Sequence, residues 1–247
     1  MKQIRTPNYN TKKWTDRTNK TYKTPQKWDI IVNHIMEGYA PQTIDYIDRP
    51  NVSVSAHFII GRNGEIWRQA DLKHGAWHCI KRKPSNKIVE SRNAPPNLYT
   101  VGIEHEGMHK DTKGKLTEKQ YQATLWVHKY VIERYELTFK EPFKIDRDHI
   151  IGHYEVDTVN RSKTDPGLEF QWDRLLSDLK KWDVERKKGD DIVKEPVKET
   201  NKKLDVAQKW AVDNGLMQNI MWDEPATRHQ MAWWLFDFHK KFIGGGK

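Results

Sequence analysis

The sequence predicts an α/β fold, a central mixed β-sheet flanked by helices, joined to a small all-α module at its C-terminal end. Three observations carry this reading. Short apolar runs, WDIIVNH (28–34), SAHFIIGRNGEIWRQ (55–69) and YTVGIEHEG (99–107), come before two stretches of helical period, 116–137 and 170–182. Such a succession builds a sheet with helices packed on it. Residues 183–203, DVERKKGDDIVKEPVKETNKK, are almost all charge; they bury too little apolar surface to offset their ordering entropy and read as a linker. A short segment rich in tryptophan and phenylalanine follows, at 204–247. The expected division is a domain over 1–182, a linker over 183–203 and a module over 204–247.

Taken in order, WDIIVNH reads as a buried strand with Trp28, Ile30, Val32 and His34 on one face. The second run turns at Asn63-Gly64, a pair that accepts positive φ at low cost, and reads as a β-hairpin. The third is another strand, ending in polar residues. The stretch LTEKQYQATLWVHKYVIERYEL opens with Thr117 and Gln120 in capping-box spacing. Its apolar stripe runs through Tyr121, Leu125, Val127, Tyr130 and Val131. FQWDRLLSDLKKW is a second amphipathic helix, through Trp172, Leu175, Leu176 and Leu179. Within 204–247 two helices flank a turn, and Thr227 with Gln230 repeats the capping-box spacing. Trp210, Trp222, Trp233, Trp234, Phe236 and Phe238 would give so small a unit its core.

Composition narrows the function classes. The net charge of +9 over 247 residues points to a polyanionic partner: nucleic acid, an anionic membrane or a charged cell-wall polymer. The single cysteine, Cys79, excludes an internal disulfide framework and a multi-cysteine zinc cluster. No window approaches the roughly 18 apolar residues of a membrane span. The basic N-terminal stretch is not followed by an apolar run, so the expectation is synthesis in the cytoplasm without an export signal.

Eleven histidines invite a search for chemistry. His109, His128, His229 and His239 sit at polar or helical positions and read as surface or packing residues. His34 ends a buried strand, where functional groups gather, yet a satisfied core histidine has an equal claim. His153 follows another apolar run and can equally cap an element; Asp165, before Pro166, can be a turn former. Together the three fit better, because a catalytic zinc takes three histidine or carboxylate ligands and keeps a position for water. Lys163 would point to the same side as Asp165 if the loop is extended, where a cation can stabilise an oxyanion; otherwise it is a solvated loop charge. Glu104 is a carboxylate in an apolar strand, costly unless it is paired or used; a salt bridge is its bland explanation.

The segments IVNH, VSAHFIIGRNGEIWRQ, GAWHC, YTVGIEHEG and IIGHYEVDTVNRSKTDPG occur in this order. Together they resemble the zinc-dependent N-acetylmuramoyl-L-alanine amidases of type 2, which share a fold with the peptidoglycan recognition proteins. The likeness runs from about Lys27 to Trp182. It implies Zn2+ held by His34, His153 and Asp165, with Asp165 where some relatives use cysteine. It also implies that Glu104 handles the water proton, that Lys163 serves the oxyanion side, and that Trp77 and His78 line the substrate groove. The implied substrate is peptidoglycan, cut at the amide between the lactyl group of N-acetylmuramic acid and L-alanine. The alternative is a non-catalytic peptidoglycan-binding protein of the same fold; such proteins typically lack part of the ligand set that is whole here. A nucleic-acid binder would leave His34, Glu104, Lys163 and Asp165 without a role, and no membrane partner is expected.

Peptidoglycan lies outside the membrane. A basic amidase without a signal, joined by a charged linker to a second module, looks like a phage endolysin made in the host cytoplasm and released to the wall. The pattern AQKWAVDNGL…WDEPATRHQMAWWL resembles a single S-layer-homology-like unit, a type associated with cell-wall attachment. Residues 204–247 are therefore expected to bind an anionic cell-wall polymer, with homodimerisation through the aromatics as the competing role.

Overall fold

The computed structural model describes residues 21–22, 27–161 and 164–192. Lys163, residues 193–203 of the expected linker and the expected module at 204–247 lie outside the described residues. The strands are β1 (Thr21–Tyr22), β2 (Ile30–Ile35), β3 (Phe58–Ile60), β4 (Ile66–Arg68), β5 (Gly75–Ala76), β6 (Thr100–His105) and β7 (Ile150–Gly152). The helices are α1 (Ala40–Ile47), α2 (Lys87–Ser91), α3 (His109–Thr112), α4 (Glu118–Phe139) and α5 (Trp172–Ile192). None of them is long and apolar enough to cross a membrane.

Five strands form one sheet in the order β4-β3-β6-β2-β7. The strands β3, β6, β2 and β7 run parallel, and β4 lies antiparallel to β3. The sheet is therefore mixed, as the sequence predicts. The strands β1 and β5 make a separate antiparallel pair.

Central β2 is buried at every position, as a strand with parallel neighbours and cover on both faces should be. Ile31 joins Val101, Ile103 and Ile150 of the sheet, with Tyr121, Val131, Leu175 and Leu179 of α4 and α5. Ile30 and Val32 face the other way, toward Cys79, Val89, Tyr99 and Val156. On that same side Ala40, Ile44 and Ile47 of α1 cover Ile59 of β3. Trp28 departs from the expected face. The strand begins only at Ile30, so its alternation does not reach Trp28, which packs edge-on against Tyr135 and Phe139 of α4.

The hairpin forms as expected, with Ile60 opposite Ile66 and Gly64 at φ +87°. Helix α4 is capped by Thr117, whose hydroxyl accepts the Gln120 N–H at 3.1 Å. The reciprocal bond of a capping box is replaced: the Gln120 amide donates to the carbonyls of Ile60 and Glu106, tying the helix start to the sheet. Helix α5 runs on to Ile192, through 183–192, where the sequence reads as linker. Of the charges there whose side chains are described, Asp183, Arg186 and Lys187 form pairs. Arg186 meets Glu136 of α4 at 2.7 Å and lies over the Trp182 ring, and Lys187 meets Asp183 at 2.6 Å.

Three histidines are enclosed with neutral rings. Burial, the largest cause, drives His57 and His128 down to about 4 and His105 to about 3, from an ordinary 6.5. Below 6.5 the unfolded chain takes up protons that the folded chain does not. Their contribution to stability is therefore complete above 6.5 and is lost as pH falls from 6.5 toward 4. Each ring costs on the order of 2 kcal/mol at pH 5. His34 and His78, also lowered by burial, act in the same sense, while the carboxyls of Glu104 and Glu155, which burial pushes up, act in the opposite one. The urea midpoint at pH 5 should lie well below that at pH 7.5. Equal midpoints would mean that these rings accept protons inside the fold.

Candidate metal centre and active site

Alternation along the central strands positions the site. On β2, Asn33 points toward α4, with its Nδ2 3.3 Å from His128 Nε2. His34 points to the opposite face. The parallel register sets Glu104 of β6 directly beside His34. Strand β7 ends at Gly152, and His153 opens the short 3-10 turn that follows. Segments far apart in the chain thus bring polar side chains to the carboxyl ends of parallel strands, where open α/β sheets hold ligands.

The three predicted ligands meet. His34 Nδ1 lies 3.1 Å from His153 Nδ1 and 3.7 Å from Asp165 Oδ1, and His153 Nδ1 lies 2.9 Å from Asp165 Oδ2. All three residues are buried. The Ile35 N–H donates to Asp165 Oδ1 at 2.9 Å, and the Tyr154 N–H donates to its backbone carbonyl at 2.9 Å. Glu104 stands next to this cluster, with Oε1 3.9 Å from His34 Nδ1. Its Oε2 is buried and has no hydrogen-bond partner.

Charge is distributed unevenly. Burial, then the neighbouring His153, lowers His34 to about 4, so its ring is neutral at pH 7. Burial works to raise the Asp165 carboxyl, but the hydrogen bonds and charge of His153 and His34 outweigh it and hold it below the usual carboxylate range. Burial, reinforced by Asp165, pushes the Glu104 carboxyl up, while Arg161 pulls it down. One carboxylate is held ionised and the other is primed to carry a proton.

A tetrahedral zinc bound at about 2.0–2.1 Å sets its ligand atoms about 3.3 Å apart. His34 Nδ1 and His153 Nδ1, 3.1 Å apart, are close to that value, and with one ligand atom from each residue all three lie within 4.8 Å of one another. Two imidazoles and a carboxylate are also a donor set of open, catalytic zinc sites. These residues fit the ion.

Trp77 is half-buried; its N–H donates to Ser55 Oγ, and its carbonyl accepts the Ser55 N–H, both at 2.9 Å. His78 is half-buried with both ring nitrogens engaged: Nδ1 is 2.9 Å from His34 Nε2, and Nε2 is 2.9 Å from Thr100 Oγ1. Arg161 is a cation that the sequence reading passed over, with Nε 3.8 Å from Asp165 Oδ2. Its signal was its place on the same loop as Lys163 and Asp165. Thr100, beside His78, carried no signal in the sequence, because the ring it meets comes from another segment.

Residues 24–168, more than half of the chain, match the family described as N-acetylmuramoyl-L-alanine amidase. The chain belongs to this amidase family. His34, Glu104, His153 and Asp165 all fall within the matched residues. N-acetylmuramoyl-L-alanine amidase A of Achromobacter lyticus is 26% identical over 171 residues, covering 64% of this chain and 88% of that protein. The 1,6-anhydro-N-acetylmuramyl-L-alanine amidase AmpD of Haemophilus influenzae is 32% identical over 127 residues, covering 51% of this chain. The match spans 59% of that relative's own length. Among solved structures, the amidase LysC of Clostridium intestinale is 21% identical with a TM-score of 0.44, over 63% of this chain and 87% of that one.

Proposed function

We propose that the chain is a zinc-dependent peptidoglycan amidase of endolysin type, hydrolysing the amide between N-acetylmuramic acid and L-alanine of the stem peptide. One observation carries it: His34, His153 and Asp165 close to within 4.8 Å of one another beside a buried, unpartnered carboxylate oxygen of Glu104. His34, His153 and Asp165 would hold the ion. When bound, zinc lowers the pKa of a water toward about 7 and polarises a carbonyl. Glu104 takes the proton of the attacking water and returns it to the leaving nitrogen, a task its raised carboxyl suits. Lys163, on the strength of the family resemblance, and Arg161, from its place beside Asp165, supply positive charge to the oxygen that becomes negative. Trp77 and His78 flank the groove on the same resemblance. The enzyme would be made in the host cytoplasm and act on the wall after release, with residues 204–247 tethering it.

Purified full-length protein should release free L-alanine amino groups from peptidoglycan, a chelator should stop it, and zinc should restore it. Wall binding without new amino groups would make the chain a non-catalytic peptidoglycan-binding protein. In the same assay, a chain ending at Ile192 should cleave soluble muropeptides normally but lyse intact cells less well, because tethering raises the local substrate concentration. Equal lysis by both chains would remove the tethering role. Twice the monomer mass for the full chain alone would assign dimerisation instead.

A further inference from the structure

We propose that Thr100 and His78 are positioning residues: a chain of hydrogen bonds through them fixes the tautomer of His34, so that His34 turns a bare Nδ1 toward His153 and Asp165. The inference rests on the metal reading above for its purpose, but its geometry stands without any ion. The chain of bonds starts at a backbone carbonyl. Thr100 Oγ1 lies 2.8 Å from the Pro96 carbonyl oxygen, which can only accept, so the single hydroxyl hydrogen points there. Thr100 Oγ1 also lies 2.9 Å from His78 Nε2. With its hydrogen committed, the oxygen can only accept, so His78 Nε2 carries a hydrogen and donates it. His78 Nδ1 is then the acceptor of that ring. It lies 2.9 Å from His34 Nε2, which must carry a hydrogen in turn. The remaining nitrogen of His34 is Nδ1, the atom that stands 3.1 Å from His153 Nδ1. A neutral imidazole with Nε2–H offers its lone pair at Nδ1 and nowhere else.

The scaffold holds His78 for this contact. Asn97 Oδ1 accepts the backbone N–H of His78 at 3.2 Å and of Cys79 at 3.0 Å. On β6, a Cβ at position 102 would come within 2.5 Å of the His78 ring, so Gly102 leaves the ring just enough space beside Thr100. Strand alternation places Thr100, Gly102 and Glu104 on the face that carries His34. The strand that delivers Glu104 to the site thus also supplies the hydroxyl that orients its neighbour. Partners that set the tautomer of a ligand histidine from behind typically change metal affinity by about 10–100-fold when removed.

The test compares the full-length wild type with Thr100→Val and Thr100→Ser. Nitrogen-15 NMR of the metal-free proteins reads the His34 tautomer, and competition with a chromophoric chelator reads zinc affinity. His34 should be the Nε2–H tautomer in the wild type. Thr100→Val, which keeps the shape and loses the hydroxyl, should mix the two tautomers and weaken zinc by about 10–100-fold. Thr100→Ser should restore both readings. A wild-type His34 protonated at Nδ1 would overturn the proposal without any variant, even if Thr100→Val failed to fold. So would a Thr100→Val protein with the wild-type tautomer and affinity within twofold. Should the wild type take up no zinc, the metal reading falls, and the tautomers of wild type and Thr100→Val alone decide this one.

Discussion

Asp165→Ala is expected to lose both its metal and its activity while remaining folded. Asp165 supplies the one carboxylate of the ligand cluster, and the Ile35 N–H depends on its Oδ1 for a partner. Two imidazoles alone hold zinc poorly. The loss should exceed the about 10–100-fold that removal of an outer partner costs, so turnover should fall to background. His34→Ala and His153→Ala should behave alike, since each removes one of the nitrogens that face each other at 3.1 Å. The fold should persist because the largest core, between the sheet and helices α4 and α5, lies on the other face of β2. Metal analysis beside circular dichroism checks this. Full zinc occupancy in a folded Asp165→Ala protein would remove Asp165 from the ligand set.

Glu104→Gln is expected to keep zinc and fold but to lose about 10²–10⁴-fold in turnover, the range for a positioned acid–base group. Glutamine preserves the shape and cannot accept the water proton. Little structure depends on the charge: Oε2 has no partner, and Oε1 comes no nearer to His34 Nδ1 than 3.9 Å. Glu106 is the natural control. Its carboxylate accepts the Arg62 N–H at 2.7 Å, so Glu106→Gln should disturb that loop and leave turnover within about tenfold. Hydrolysis by Glu104→Gln at near wild-type rate would make Glu104 structural.

Apolar runs made the main strands legible, whereas the ligand set was legible through the family resemblance, because spacing alone left His34, His153 and Asp165 each with a bland alternative. His34 ends an apolar run, and its position at the end of β2 follows from that run alone. Trp28 was misread because a strand buried on both faces is apolar throughout, so period two cannot say where it starts. The end of α5 was misread because Arg186 looks solvated until Glu136 and Trp182 stand beside it. Gln120 shows a third kind of failure. Its spacing from Thr117 suggests a local bond back to the helix start, but carbonyls of the sheet compete for the same amide. Arg161 and Thr100 illustrate the general limit. A cation or a hydroxyl acquires its meaning from groups in other segments of the chain, and no spacing along one segment carries that.

The separation of the ligands along the chain has a consequence for how the molecule is made. His34 and His153 stand 119 residues apart, and Ile35 and Asp165 130 apart. Bringing such ends together costs roughly 4 kcal/mol of chain entropy on its own, and the parallel pairing of β2 with β6 and β7 is a non-local step that folds slowly. A ribosome that has released His34 must still add most of the domain before Asp165 emerges. No pair of neighbouring residues can hold the ion meanwhile, so metal cannot nucleate this fold as it does in small zinc-dependent domains. Zinc would bind only to a sheet that is already assembled. A nascent chain cut short before residue 165 would have no site to fill.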